Sequence, residues 1–504
     1  MAAGIFLGLM AASLLVNGHY QPANALEAYK KSLRDRGEKL ELNAVLAPLV
    51  PAESNSLSAV EEAFRMFVPG EVKIPAAMKT VAPGRTLVGW QQPDARATDF
   101  TNSWEEFSGF VEANRPAMEQ LHQVLDKPKL DFDLDYKKDT SLSLPHLSSL
   151  KRAVESLESA IVFDLHRGDL ALATTNILTM LAIPQKNSSE GLLISHLVRL
   201  AMTAIAVAPT WELLQATNVT EAQLETIQEA WLQMDFLGDA TNAFVVERAW
   251  GINEIQKLRA MSHENLMAAM SFGSSGSSSS SGGWDWEAIT EKPRCAIGEV
   301  MWRSSWSYTD ELRTLKSESI ILDALRAMKA DQSQNFKVVF DAMKSRLSSL
   351  GVTNVGAEFF KQLNIPNLAE LFGNWDLSST VKKAIRMETA RRLTVTAIAL
   401  KRFQMKQGKS AESLTVLVPE FLSAVPIDPY DGQPLRYHSN ADGTFLLYSV
   451  GEDGKDDGGD PTVTTTSSST PSWQNDHALD WVWPQPATEV EIEMYNDEQA
   501  KKSK

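Results

Sequence analysis

Hydrophobic and polar positions follow different rules in different parts of this chain. In MAAGIFLGLMAASLLV the fifteen residues from Ala2 to Val16 carry no charge, and Ser13 is the one strongly polar side chain among them. That length is typical of a signal-peptide core and short of the about 20 residues a spanning helix wants. Including Asn17 to Tyr20 brings it to spanning length, while Ala23-Asn24-Ala25 offers an A-x-A cleavage pattern. No lysine or arginine precedes the apolar run, as an export signal would normally require. A buried helix of a soluble domain would show a polar face, and this run has none. The expectation is a single amino-terminal anchor within residues 1–25, with export after cleavage near Ala25 as the alternative.

The pattern then turns helical. Leu26, Tyr29, Leu33 and Leu40 stand near helical spacing in LEAYKKSLRDRGEKLEL, which predicts a helix leaving the membrane. Pro48, Pro51, Pro69, Pro75, Pro83 and Pro93 punctuate the next fifty residues, so residues 26–100 read as a juxtamembrane helix and a wrapping segment. From 101 to 270 apolar residues recur three and four apart. Around His166-Arg167-Gly168-Asp169 they predict a helical hairpin, with Gly168 as a C-cap and Asp169 in the next first turn. Thr220 and Gln223 suit a capping box. There is no fixed period of 34, so an irregular α-solenoid or bundle is expected rather than a repeat array. Residues 271–286 are a Gly/Ser low-complexity loop, in which Gly273 and Gly276 lack the GxxxxGK[ST] of a phosphate loop. A second helical region fills 287–380. The last long helix, Val381 to Gln407, opens a C-terminal module over 381–460 that continues in short strands and turns, and 461–504 reads as a polar tail.

Composition narrows the function classes. With 43% apolar residues the chain can fill real cores, and its net charge of −16 argues against nucleic acid, which needs clustered cations. One cysteine, Cys295, excludes an intrachain disulfide, a thiolate zinc cluster and a CxxC pair. The basic cluster Lys30, Lys31, Arg34, Arg36 and Lys39 comes after the anchor, and by the positive-inside rule it favours a cytoplasmic body.

The densest chemistry lies in LLYSVGEDGKDDGGD, where Glu452, Asp453, Asp456, Asp457 and Asp460 surround Lys455 among four glycines. Such a density of like charge needs a cation or water to screen it. An EF-hand is excluded, because counting from Asp453 position 3 is Lys455 and position 12 is Thr464. The order from Ala390 to Asp460 resembles the globular part of the major pseudopilin of bacterial type II secretion systems. The matching pieces are Pro426-x-Asp428-Pro429-Tyr430 with Gly432, Pro434 and Tyr437, then Tyr448-Ser449-Val450-Gly451-x-Asp453-Gly454. The resemblance implies a long helix on a small antiparallel sheet and a calcium-binding loop. It gives Asp453 a ligand position and lets carbonyls around Val450 or Gly451 contribute. Asp456, Asp457 and Asp460 are the further candidates, and a solvated acidic turn without metal is the alternative. The chain departs from a prepilin, since the apolar run lacks a glutamate at its fifth position and lies about 380 residues from the module's helix. A broader likeness, through the ALEAYKxxLxxxGEKL start, LHRGDLALA and the LYSVGxDGxDDGG ending, is to a set of uncharacterised membrane-anchored bacterial helical proteins. It implies architecture and no activity.

Enzyme signatures are missing: the sequence has no GxSxG, HExxH or GxGxxG. Glu119-x-x-His122 lacks the second pair a di-iron bundle needs. His166 and His196 read as packed residues, and Glu247-Arg248 as a local ion pair. Trp284, Trp286, Trp302, Trp306, Trp481 and Trp483 suit intramolecular packing more than an exposed patch. The expectation is therefore a mainly α protein, a helical-hairpin body with a small C-terminal α+β pseudopilin-like module. It would be a non-enzymatic scaffold held at the inner membrane by its N-terminal segment, with its body periplasmic, a structural calcium and unknown protein partners. An accessory role in type II secretion, or an enzyme with an unrecognised site in the helical domain, are the alternatives.

Overall fold

The computed structural model describes residues 21–70, 72–75, 77–97, 100–136, 143–266, 299–300, 302–350, 377–440, 443–463 and 478–502. The apolar run at residues 1–20, the Gly/Ser loop at 271–286, Trp284, Trp286 and Cys295 lie outside the described residues. The protein is mainly helical with a few small sheets. It divides into two compact units, each built from separated stretches of chain.

The first unit takes Met1–Leu46, Thr241–Ala324 and Asp341–Thr380. Helix α1 runs over residues 21–35, and the short α2 spans Leu42–Val45. Leu26 and Leu33, seven residues apart, lie on one face of α1, and together with Leu40 beyond the helix they pack with Ile252 and Leu315. Lys30 is buried among them and ion-pairs with Glu311 Oε1 at 2.5 Å, while Arg34 reaches Glu41 at 3.1 Å. Two members of the basic cluster therefore find carboxylate partners within the fold. Arg248 finds its partner in Glu38, with Nη2 to Oε2 at 2.6 Å, where the sequence suggested its neighbour Glu247.

The second unit takes Ala47–Ala240, Leu325–Phe340 and Val381–Lys504. The expected wrapping segment carries regular structure: helix α3 (Leu57–Met66), the hairpin strands β1 (Lys79–Ala82) and β2 (Arg85–Leu87), and the β3–β4 pair (Ala95–Arg96 with Thr101–Asn102). Helix α4 (Trp104–Leu121) starts at a complete Ser103–Glu106 capping box. The predicted hairpin is α5 (Pro145–His166) and α6 (Leu170–Lys186). Gly168 turns it with φ +77°, and Asp169 is the N-cap of α6 rather than a first-turn residue, accepting from Leu172 N at 3.0 Å. Then come α7 (Leu193–Leu214) and α8 (Glu221–Leu232), the latter opened by the predicted Thr220–Gln223 box. Among the described residues α7 is the one helix long and apolar enough to cross a membrane, yet 67% of its apolar window is buried in protein, as in a core helix.

Helix α9 (Phe236–Ala260), a five-residue π-turn at Trp302–Trp306, α10 (Ser307–Ala330) and α11 (Phe336–Ser349) come after it. The long helix α12 covers Leu377–Gln407. From it Arg402 sends Nε to Glu221 at 2.8 Å, Nη1 to Gln228 at 3.0 Å and Nη2 to Glu225 at 2.6 Å, gripping three residues on one face of α8. A three-stranded antiparallel sheet comes next, of order β5 (Arg436–Ser439), β6 (Phe445–Ser449) and β7 (Trp481–Val482). The expectation of a polar tail over 461–504 is overturned. Ala478, Asp480, Trp481, Val482 and Trp483 are buried, β7 pairs with β6, and β8 (Gln485–Pro486) lies parallel to β2. Short apolar content hid this, since two-residue strands give no periodicity to read. Helix α13 (Glu489–Lys502) ends the described chain.

Candidate functional site

The acidic loop hangs between β6 and β7, and two of its glycines are dictated by geometry. Gly451 has φ +68°, and a Cβ there would sit 3.0 Å from the Trp481 ring. Gly459 has φ +82°, and its Cβ would come 2.7 Å from Leu446 Cδ2. Both positions thus combine a left-handed backbone with a close approach.

Two buried aspartates organise the surroundings of the loop. Asp428, in the turn before β5, accepts from Tyr430 N at 3.0 Å and Ser449 Oγ at 2.8 Å on one oxygen, and from Val450 N at 2.8 Å on the other. Burial pushes its carboxyl up to about 6, and those donors oppose the shift. Asp480, just before β7, uses Oδ2 to accept from three loop amides: Asp457 at 3.1 Å, Gly459 at 2.7 Å and Asp460 at 3.2 Å. Its Oδ1 is buried and has no hydrogen-bond partner. Burial pushes Asp480 up to about 6; the amides of Gly459 and Asp460 oppose that, and the neighbouring Asp456 and Asp457 add to it. An enclosed carboxylate oxygen without a donor is a position that a proton or a cation can satisfy.

The sequence-derived candidates fall into distinct roles. Asp453 Oδ1 accepts from Lys455 N at 2.9 Å, and Asp460 Oδ1 from Thr462 N at 2.9 Å, each closing a local turn. Asp456 is more engaged: Oδ1 accepts from Tyr448 Oη at 2.9 Å and Oδ2 from Arg436 Nε at 3.2 Å. Asp457 is exposed, and its amide is held by Asp480. The Val450 amide goes to Asp428, and the Gly451 carbonyl accepts from Gly454 N at 3.3 Å. Glu452 pairs with Lys382 of α12. Among the described residues no three His, Cys, Asp or Glu side chains are gathered as a bound metal would require. The loop is braced by protein donors, with Asp480 as its buried hub. Sequence reading missed Asp480 because twenty residues separate it from Asp460; only the apolar Trp481-Val482-Trp483 run after it hinted at a strand.

Of the histidines of the helical body, His122 is half-buried, His166 exposed and His196 buried. His122 Nε2 meets Asn176 Oδ1 at 2.8 Å, and His166 Nδ1 meets the Trp90 carbonyl at 2.9 Å while stacking on Trp104. His196 is buried, and desolvation drives its imidazole down to about 3. Two buried glutamates were also missed. Glu212 accepts from Met78 N at 3.1 Å and Gly89 N at 3.0 Å, pinning the β1–β2 hairpin to α7, and burial raises it to about 7. Glu158 of α5 is raised to about 8 by burial, with Glu155 and Glu212 adding to the shift. Both side chains are buried. Trp302, Trp481 and Trp483 are buried, in keeping with intramolecular packing. Comparison of the chain with protein-family models, with curated proteins and with solved structures gives no match in any of the three.

Proposed function

We propose that the loop from Glu452 to Asp460 is a structural cation loop, selective for calcium, in a membrane-anchored envelope protein whose helical body acts as an interaction scaffold. The observation that carries this reading is Asp480. One of its oxygens already holds three loop amides, and the other is buried and unpartnered near Asp456 and Asp457. A calcium ion accepts six to eight oxygens in flexible geometry, and to supply them the loop would have to draw Asp456 and Asp457 in toward Asp480, since among the described residues these carboxylates are not gathered as a metal group. Asp453, at the position the pseudopilin resemblance assigns to a ligand, is exposed. The order of α12, an antiparallel sheet and this loop supports the resemblance. The paired state of Lys30 and Arg34 weakens the argument from the basic cluster for a cytoplasmic body.

Calcium would act on stability. A loop with a Kd of about 10 μM in about 1 mM calcium gains RT ln(1 + 100), about 2.7 kcal/mol. Calcium at that level is found outside the cytosol, which favours an extracytoplasmic body. The test is a thermal melt of the full-length chain in calcium, in magnesium and in chelator, beside Asp480→Asn and Asp456→Asn. The expected result is a calcium-specific rise of several degrees in the parent that both variants lose. Coincident melts in all buffers would leave the loop as a turn held by protein contacts such as those of Asp480, Arg436, Tyr448 and Lys382.

A further inference from the structure

A different place in the second unit holds buried donors without acceptors. Arg199, on the second turn of α7, is buried with 3% of its surface exposed. Its Nη1 donates to the carbonyls of Glu190 at 2.8 Å and Asn187 at 3.3 Å. Its Nε and Nη2 are enclosed and have no acceptor. Those two nitrogens form the side-on edge of the guanidinium, the fork that meets two oxygens of a carboxylate or phosphate in parallel. One turn back on the same face, His196 is 1% exposed, and neither of its ring nitrogens has a partner.

The nearest carboxylates do not fill this fork. Glu190 is engaged elsewhere, with Oε1 taken by Ser195 Oγ and Oε2 by His146 Nε2 at 3.0 Å and Asn187 Nδ2 at 3.3 Å. Asp239 interacts with Arg199 through its charge and makes no ion pair with it. Tyr136 also lies within electrostatic reach of Arg199. A guanidinium withdrawn from water with two of its three nitrogens idle is costly unless something answers it.

We infer that the side-on edge of Arg199, with His196 beside it, is the binding site of a small oxyanion, a carboxylate or a phosphate-type group enclosed within the helical body. The pairing of two donors on one planar edge sets the ligand class: two oxygens about as far apart as those of a carboxylate. Because the site is buried, the ion enters as the unit folds or opens, and it contributes to the folded state rather than to turnover.

The experiment unfolds the full-length chain in urea, dialyses it free of bound ions and refolds it in chloride, acetate, sulfate or phosphate at constant ionic strength. Thermal melts then compare the parent with Arg199→Lys, which keeps the charge but not the fork, and with His196→Gln. The expected result is a rise in Tm that saturates with oxyanion concentration, vanishes in Arg199→Lys and shrinks in His196→Gln. Whether acetate or phosphate gives the larger rise decides between a carboxylate and a phosphate-type ligand. A rise of equal size in both variants would be the general effect of excluded salts, and it would overturn the site. So would a parent that melts alike in all four salts, because the fork then faces only water. Should Arg199→Lys not refold, His196→Gln alone still carries the comparison.

Discussion

Glu158 is a carboxyl that the fold holds against its own ionisation. Burial is the main cause, with Glu155 and Glu212 adding to it and Lys151 opposing. For an acid whose folded value is raised, stability is fully present below the unfolded value and lost as pH rises through the folded one. The window here runs from the ordinary 4.5 to about 8, with Glu212 giving way near 7 within it. Glu158→Gln should therefore match the parent at about pH 5 and exceed it by on the order of a few kcal/mol at about pH 9. Urea midpoints at the two values check this, and parallel curves for parent and variant would locate the proton release elsewhere. A residual slope in the variant is expected, since Glu212 still titrates.

Elements that depend on neighbours in sequence are the ones legible from the chain alone. The α5–α6 hairpin with Gly168, the Thr220–Gln223 box and the long helix ending at Gln407 are all set by local spacing and capping. The candidate loop was legible as an acidic, glycine-rich turn for the same reason. The groups that close it were not: Asp480, Arg436 and Tyr448 come from other strands, and charge density alone does not name its partners. Lys30 with Glu311 and Arg248 with Glu38 escaped for the same reason, since a buried guanidinium selects a geometry rather than a neighbour in the chain. The grip of α12 on α8 is of this long-range kind. Arg402→Met removes three side-chain acceptor contacts from a nearly buried guanidinium, although Glu221 and Glu225 are partly solvated. The expected loss is on the order of 2 kcal/mol, read as a lower denaturant midpoint with an unchanged slope. A midpoint equal to the parent's would mean that water replaces those contacts without cost.

At the scale of the whole molecule the second unit is closed by its last residues. Trp211 in the C-terminal half of α7 donates through Nε1 to the Pro484 carbonyl at 2.9 Å, and the amides of Gln485 and Ala487 bond to Gly84 and Thr86. A chain stopped after Thr462 loses β7, β8, Asp480 and Trp481 together. It should show no cooperative calorimetric transition for this unit and should be cleaved rapidly by protease in the region of residues 79–91. A sharp transition in the truncated chain would show that the terminal strands merely decorate a finished core. The parallel pairing of β2 with β8 also has a consequence in time. Arg85 must wait for Gln485, four hundred residues later in the chain. At the usual synthesis rate of about 5–20 residues per second that interval is roughly 20–80 s. For all of it the hairpin near the start has an open edge, able to pair with any other strand it meets. A polypeptide so arranged cannot finish its larger unit on the ribosome until the four hundred residues that follow the hairpin have been made.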